Sequence, residues 1–357
     1  MRLGLLIYGS LDHISGGFIY DRNLVANLGR QGDRVEVMSL PWRSYAQGLG
    51  DNLRPGLWRR LRQAPFDALL QDELAHPSLF RLNRWLRPRV SYPIIAIVHH
   101  LRSREAHPAW QNWFFRLIER QYLASVDGYI CVSQTTRSDV AALVGNTRPA
   151  VVAPPGRDGL PGAVTPERIA SRAAAGPLQV IFVGNLIPRK ELHTLLAALA
   201  TLPSQDWRLQ VAGSLTADPG YSQAIRRQIE AAGLSGQVSL LGVLPAQELA
   251  ACLAESHLLA VPSSYEGFGI VYLEGMGFGL PAIAGARGAA RELIRHGVNG
   301  FLTPPGNAGA LAGFLRLLAS DRQRLTAMSL AAYQSFTAHP TWQESAGLVR
   351  NFLRGLL

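Results

Sequence analysis

The sequence predicts an α/β protein built from two Rossmann-like, doubly wound parallel-sheet domains facing a cleft. Three observations predict it. Apolar runs of strand length alternate with longer amphipathic stretches. The alternation starts near residue 2, lapses, and starts again near residue 178. The lapse is rich in Pro, Gly and Ala and carries little apolar periodicity.

Taken in order, RLGLLIY (2–8) is a first strand, followed by the glycine-bearing loop GSLDHISGG. The helical stretch FIYDRNLVANLGRQG stops at a glycine, and the β-rich DRVEVMSL comes next. DALLQDEL, YPIIAIVHH, DGYICVS and PAVVAPP read as later strands of the same sheet. The second round opens with LQVIFVG as strand, RKELHTLLAALATL as helix, WRLQVAG as strand and SQAIRRQIEAAG as helix. QVSLLG, SHLLAVP, LPAIAG and GFLT supply further strands. The expected domains are 1–160 and 178–339, with 161–177 as linker. The closing TWQESAGLVRNFLRGLL is an amphipathic helix able to cross back, so 340–357 is grouped with the first domain. Such sheets bind ligands at the carboxyl ends of their strands.

Composition narrows the classes. The chain has 357 residues, 48% of them hydrophobic, enough for two full cores. No window approaches the ~18 continuous apolar residues of a membrane-spanning helix. The opening MRLGLLIYGSLD reads as a strand rather than a signal peptide, because Asp12 and His13 stand where small residues would be cleaved. Cys131 and Cys252 lie in apolar settings and read as reduced thiols of a cytoplasmic protein. With no Cys/His zinc spacing and no Asp-x-Asp, no metal site is expected. The net charge of +10 is uneven: residues 54–120 hold twelve arginines against five acids, and four of the seven tryptophans. RPGLWRRLRQ and RLNRWLRPR interleave arginine with tryptophan and leucine, the mix that rests on an anionic membrane surface. A solvated basic face, or one holding an anionic soluble acceptor, is the competing reading. No DNA- or RNA-binding motif accompanies the excess, so no nucleic-acid partner is expected.

Four segments carry candidate chemistry. In SYEGFGIVYLEGMGFG a strand ends near Pro262 and a helix begins around Phe268. Glu266 lies just ahead of that helix, Gly267 follows it, and the amides of Phe268, Gly269 and Ile270 leave the first turn toward an oxygen-rich ligand. Glu274 stands about a turn and a half further along. A carboxylate accepts two hydrogen bonds side by side, so each acid suits a vicinal diol. Two diols with phosphate between them describe a nucleotide sugar. In VGNLIPRKE (183–191), Arg189 and Lys190 sit at the start of a helix, where cations oppose the dipole unless a diphosphate is there. Lys190 is the only lysine in a chain with 34 other basic residues, all arginine. A slender ammonium reaches a phosphate oxygen where a guanidinium does not fit. Gly16 and Gly17 follow the first strand, where backbone either approaches a ligand or simply turns. ISGGF lacks the G-x-G-x-x-G pattern, which counts against NAD. His99 and His100 end an apolar strand; alternation lets only one face the cleft, and His99 is the favoured one.

With these residues assembled, the chain resembles the GT-B retaining glycosyltransferases of family GT4 (glycosyltransferase group 1). The E-x7-E motif is Glu266 to Glu274, supported by GAARELIRHGVNGFLTPPGN, VGNLIPRKE and ISGGF. The resemblance implies hexose transfer from a UDP-, GDP- or ADP-sugar to an acceptor hydroxyl with retention, without metal or cofactor. It implies that Glu266 and the amides of Phe268, Gly269 and Ile270 hold the sugar, and Glu274 the ribose. Lys190 would neutralise the pyrophosphate, Gly17 would let the backbone close on it, and His99 would contact the reacting sugar. The acceptor would be a glycan, lipid or small molecule, at the inner face of the membrane if residues 54–120 dock there. Three positions depart from the pattern: Asn185 for arginine, Glu191 for glycine, and Gly288-Ala289 for Gly-Gly. Asn185 removes a charge partner of the diphosphate, for which Arg189 is a substitute. The rival readings are a sugar-nucleotide epimerase of GT-B-like fold and a donor-binding protein without activity.

Overall fold

The computed structural model describes all residues except Ile14, Thr147, Ala163 and Ala175. Ile14 of the ISGGF loop, and Ala163 and Ala175 of the expected linker, therefore lie outside the described residues. The chain divides into two compact units: Met1–Gly156 with Pro340–Leu357, and Arg157–His339.

Among the described residues, the first unit holds six parallel strands: β1 (Arg2–Tyr8), β2 (Arg34–Leu40), β3 (Ala68–Asp72), β4 (Ile94–Val98), β5 (Gly128–Cys131) and β6 (Ala150–Val152). Their order is β2-β1-β3-β4-β5-β6. β3, β4 and β5 are buried along their whole length, which is why ALLQD and IIAIV show no polar alternation. Gln71 is buried mid-strand and exchanges two hydrogen bonds with Asn83. β2, at the sheet edge, keeps an alternating pattern with one face half open.

Helix Gly16–Arg30 starts earlier than expected, with extended Ser15 ahead of it. Gly16 and Gly17 thus form its first turn rather than the end of a loop. The closing helix Trp342–Arg354 belongs to this unit, as its amphipathic pattern anticipates. Thr341 and Glu344 form a capping box, and Trp342, Ala346, Val349 and Leu353 are buried. Arg350 donates to Asp33 at 2.7 Å, and a Cβ on Gly156 would stand 2.1 Å from the Trp342 nitrogen. Only glycine at 156 allows that approach.

The second unit repeats the plan with β7 (Leu178–Val183), β8 (Trp207–Ala212), β9 (Val238–Gly242), β10 (Leu258–Val261), β11 (Ala282–Gly285) and β12 (Gly300–Thr303). Their order is β12-β11-β10-β7-β8-β9, all parallel. The stretch expected as linker contains a helix, Pro166–Ala173, capped by Thr165 with proline in its first turn. It buries only Ile169 and Ala173, a short apolar face on a two-turn helix. Arg172 fastens it, donating to the carbonyls of Ala254 and Phe278 at 2.8 and 2.9 Å.

Each sheet changes winding direction once, between β1 and β3 and between β10 and β7. Connections leaving such a point diverge and open a crevice at the strands' carboxyl ends. Among the described residues, no helix is long and apolar enough to cross a membrane.

Candidate active site

In the second unit, β10 pairs with β7 through Leu258↔Val180 and Leu259↔Ile181, so the two strands end level at Val261 and Val183. The connections that follow run side by side. Lys190 comes from one and Glu266 from the other. The Lys190 Nζ donates to Glu266 Oε1 at 2.5 Å, with both side chains nearly buried at 13% and 10% exposure. Arg189 lies 3.5 Å from Glu266 Oε2 and donates to the Tyr265 carbonyl at 2.7 Å. The Ser264 amide closes the stitch by donating to the Arg189 carbonyl at 2.9 Å.

Burial works against both charges. For Glu266 burial would raise the pKa, but Lys190 and then Arg189 override it and hold the carboxyl down at about 2. For Lys190 burial, with Arg189 adding to it, outweighs the attraction of Glu266 and lowers the pKa. Partners in an ion pair ordinarily shift in opposite directions. Here two cations crowd one carboxylate in a desolvated place, so both shift down.

Glu266 is also fixed through its backbone. It forms a parallel bridge with Gly288, and the Ala289 amide donates to its carbonyl at 2.8 Å. Gly288 has φ +82°, and a Cβ there would fall 2.1 Å from the Glu266 carbonyl oxygen. The first of the two small residues at 288–289 must therefore be glycine. The second is fully buried as alanine.

The helix after Glu266 runs Ile270–Gly277, starting later than the expected Phe268. Gly269 precedes it at φ +90°, with Tyr272 where a Cβ would go. Gly267 and Phe268 thus lie in the connection, Phe268 buried with its ring 5.7 Å from that of His339. Of the three amides expected in the first turn, Ile270's is the one at the helix start. Glu274, half-buried, has no hydrogen-bond or ion-pair partner among the described residues, and burial raises its pKa to about 7. The structure joins Lys190, Arg189 and Glu266; among the described residues no hydrogen bond or ion pair links Glu274 to them.

Arg189 and Lys190 lie in a short 3-10 turn, Pro188–Lys190, ahead of helix Leu192–Leu199 rather than within it. Glu191 between them has φ +53°, the conformation that favours glycine. Its carboxylate accepts from the Gly306 amide at 2.7 Å and the Thr194 hydroxyl at 3.2 Å, contacts a glycine would forgo. Asn185 Oδ1 accepts from the Ser214 amide at 3.1 Å and holds the loop after β8.

In the first unit, His99 follows β4 directly, with its Nε2 3.3 Å from Asp21 Oδ1 and 3.8 Å from Asp72 Oδ1. A Cβ on Gly17 would stand 3.1 Å from the ring's Cδ2, so the glycine leaves the ring its room. His100 is instead bonded to Glu105 at 2.8 Å. Asp21, Asp72 and His99 are buried, and their donor atoms lie within 4.8 Å of one another, close enough for a metal ion. No local spacing announces this group, because its members come from the first helix, the end of β3 and the end of β4. Sequence reasoning missed both aspartates; an acid amid the buried face of YDRNLV was the one available signal.

Two family profiles match the chain: "Glycosyl transferases group 1" over residues 165–335 and "Glycosyl transferase 4-like domain" over 21–156. A Mycobacterium tuberculosis GDP-mannose-dependent alpha-(1-6)-phosphatidylinositol monomannoside mannosyltransferase is 30% identical over 71% of this chain and 69% of its own length. An MMP alpha-(1->4)-mannosyltransferase of Mycolicibacterium hassiacum is 26% identical over 95% of this chain and 96% of its own. Among solved structures, a Thermosynechococcus elongatus sucrose-phosphate synthase has TM-score 0.83 at 20% identity, covering 99% of this chain and 98% of that one. Anabaena HepE with UDP-glucose has TM-score 0.78 at 21% identity, covering 99% and 100%. The fold is GT-B, and the chain belongs to the group 1 glycosyltransferases of the GT4 type, enzymes that use nucleotide sugars.

Replacing Lys190 by methionine leaves the Glu266 carboxylate buried with only Arg189 nearby, at an expected cost of ~3 kcal/mol at neutral pH. Because the Glu266 pKa is depressed, the pair's stabilisation is present above the ordinary value of 4.5 and lost as pH falls toward about 2. Melting curves of both proteins from pH 7 to 2.5 should therefore converge at the acid end. A constant gap contradicts the charge assignment.

Proposed function

We propose that the chain transfers a hexose from a nucleoside-diphosphate sugar to an acceptor hydroxyl, with retention of configuration and without a metal ion. The observation that carries this reading is the buried Lys190–Glu266 contact, with Arg189 beside it, at the turning point of the second sheet. An ammonium has three protons, so one bond to Glu266 leaves two for phosphate oxygens. When the sugar–phosphate bond breaks, negative charge grows on the leaving diphosphate. Lys190, Arg189 and the amides around Gly267–Ile270 are the groups to stabilise it. Glu266 keeps its charge at any working pH and would accept from sugar hydroxyls. Glu274, unpartnered and half-buried, would accept from the ribose diol. Gly16 and Gly17 would let the first helix's amides approach the phosphate, and Asn185 would contribute through the loop it fixes. The acceptor hydroxyl would attack from the face the diphosphate leaves, with a phosphate oxygen taking the proton.

Kinship directs the choice of donor. The two mannosyltransferases above favour mannose, and the first is named for GDP-mannose. Its acceptor is named as a phosphatidylinositol glycoside, which supports a lipid-borne acceptor here. Within this chain, helix Ala109–Leu123 adds to that support. Trp110 and Trp113 are 69% and 67% exposed and Leu117 is exposed on the same face, with Arg116 and Arg120 beside them. An exposed aromatic stripe rimmed by arginine suits the headgroup layer of an anionic, cytoplasmic-side membrane.

Two measurements check these readings. In EDTA, GDP-mannose should raise the melting temperature more than UDP- or ADP-sugars, and Glu274→Ala should abolish the shift for every nucleotide. The slowly hydrolysed sugar should first appear by NMR as the donor's anomer. The opposite anomer rules out retention, and a shift untouched by Glu274→Ala places that acid elsewhere. In flotation assays the protein should bind anionic but not neutral vesicles, and Trp110→Ser with Trp113→Ser should release it. Equal, negligible binding to both vesicles ends the membrane proposal.

A further inference from the structure

The group Asp21, Asp72 and His99 sits at the turning point of the first sheet, where β1 and β3 part. Both oxygens of Asp21 and Oδ2 of Asp72 are sealed from solvent and have no hydrogen-bond partner, as is His99 Nε2. Oδ1 of Asp72 accepts from the Leu74 amide at 2.9 Å. Buried carboxylate oxygens without donors are costly unless a positive charge faces them. The charged neighbours acting on His99 are all acids: Asp21 from the first helix, Asp72 from the end of β3 and Glu73 next to it. From the first helix the Tyr20 ring also packs edge-on, 5.4 Å from the imidazole. The imidazole therefore supplies the compensating charge. Its Nε2 points inward at the acids, while Nδ1 has no partner among the described residues and is the nitrogen left to meet a ligand.

We propose that Asp21 and Asp72 are positioning residues that hold His99 as an imidazolium through Nε2–H, presenting Nδ1–H to a substrate oxygen as a charged donor and preventing the ring from acting as a base. This rests on the reading of His99 as a sugar-contacting residue, and adds its charge state and the residues that set it. The electrostatics agree. Burial alone would lower the His99 pKa, but the charge of Asp21, 3.3 Å from Nε2, and then that of Asp72 lift it to about 9. Burial, then repulsion from Asp21, raises the Asp72 pKa, so Asp21, the nearer acid, is the main counter-charge. A charged donor bonds a sugar hydroxyl about twice as strongly as a neutral one. A general base at this position would need the opposite protonation state.

Ring 15N and 13C NMR of histidine-labelled full-length protein tests this without reference to activity, with His99→Gln assigning the signal. His99 should show the imidazolium pattern at pH 7.5 and titrate near pH 9. Asp21→Asn should move that titration down by more than one unit, Asp21→Glu should restore part of it, and Asp72→Asn, the more distant acid, should move it less. If Asp21→Asn fails to fold, the Asp72→Asn shift and the wild-type titration carry the test. A neutral ring at pH 7.5, or a titration unmoved by either aspartate change, overturns the proposal. Donor turnover should fall as pH rises through the His99 transition, and the fall should move with it in Asp21→Asn; a rise instead identifies a base and also overturns it. Stoichiometric Mg2+ or Mn2+ uptake by the wild type that Asp21→Asn abolishes makes the cluster a metal site, equally fatal. If the NMR result holds while no nucleotide sugar binds, the proposed activity is at fault and the positioning of His99 is not.

Discussion

A lysine and a glutamate, both nearly buried, offset much of each other's lost hydration by pairing. That constraint governs the second unit. The Lys190–Glu266 contact forms because β7 and β10 are adjacent, parallel and level at their ends, so two successive connections emerge side by side. Everything near it keeps the two backbones in place. Gly288 meets the Glu266 carbonyl where no side chain fits, Ser264 bonds the Arg189 backbone, and Glu191 accepts a left-handed conformation to reach Gly306. Strain of ~1–3 kcal/mol at one residue is tolerable when two side-chain hydrogen bonds form there.

The first unit applies the same topology with the charges reversed. At the second sheet's turning point two cations surround one acid; at the first sheet's, acids surround one imidazole. Parallel sheets buried on both faces leave few places where polar groups can gather, and strand ends at a change of winding are the chief ones. A diphosphate calls for cations. A sugar hydroxyl calls for a donor of fixed orientation, which an imidazole held by two acids would supply on the reading proposed above.

Much of this was legible in the chain. Strands such as LQVIFV and IIAIV declare themselves because uninterrupted apolar runs between glycine and proline have few other uses. Lys190 and Glu266 were legible through composition and motif: a lone lysine among arginines, and an acid ahead of a glycine-rich helix start. Glu191 was visible as a misfit, and its positive φ shows why a glycine was expected. What could not be read is what long-range packing decides. The helix Pro166–Ala173 buries only two apolar residues, Ile169 and Ala173, in its two turns. Nothing in the spacing singles out Asp21 and Asp72, because their meeting with His99 depends on the order β1-β3-β4. The turn holding Arg189 and Lys190 lies before its helix instead of inside it, since Glu191 breaks the run.

The central claim is that Lys190 divides its protons between Glu266 and a bound diphosphate. Calorimetric titration of GDP and UDP in EDTA, on wild type, Lys190→Met, Glu266→Gln and the double variant, tests it most directly. Lys190→Met should weaken the preferred nucleotide at least about tenfold, 1.4 kcal/mol. Glu266→Gln, by freeing the lysine, should leave that affinity equal or tighter, and the double variant should follow the lysine change. Undiminished affinity in Lys190→Met, for either nucleotide, would contradict it.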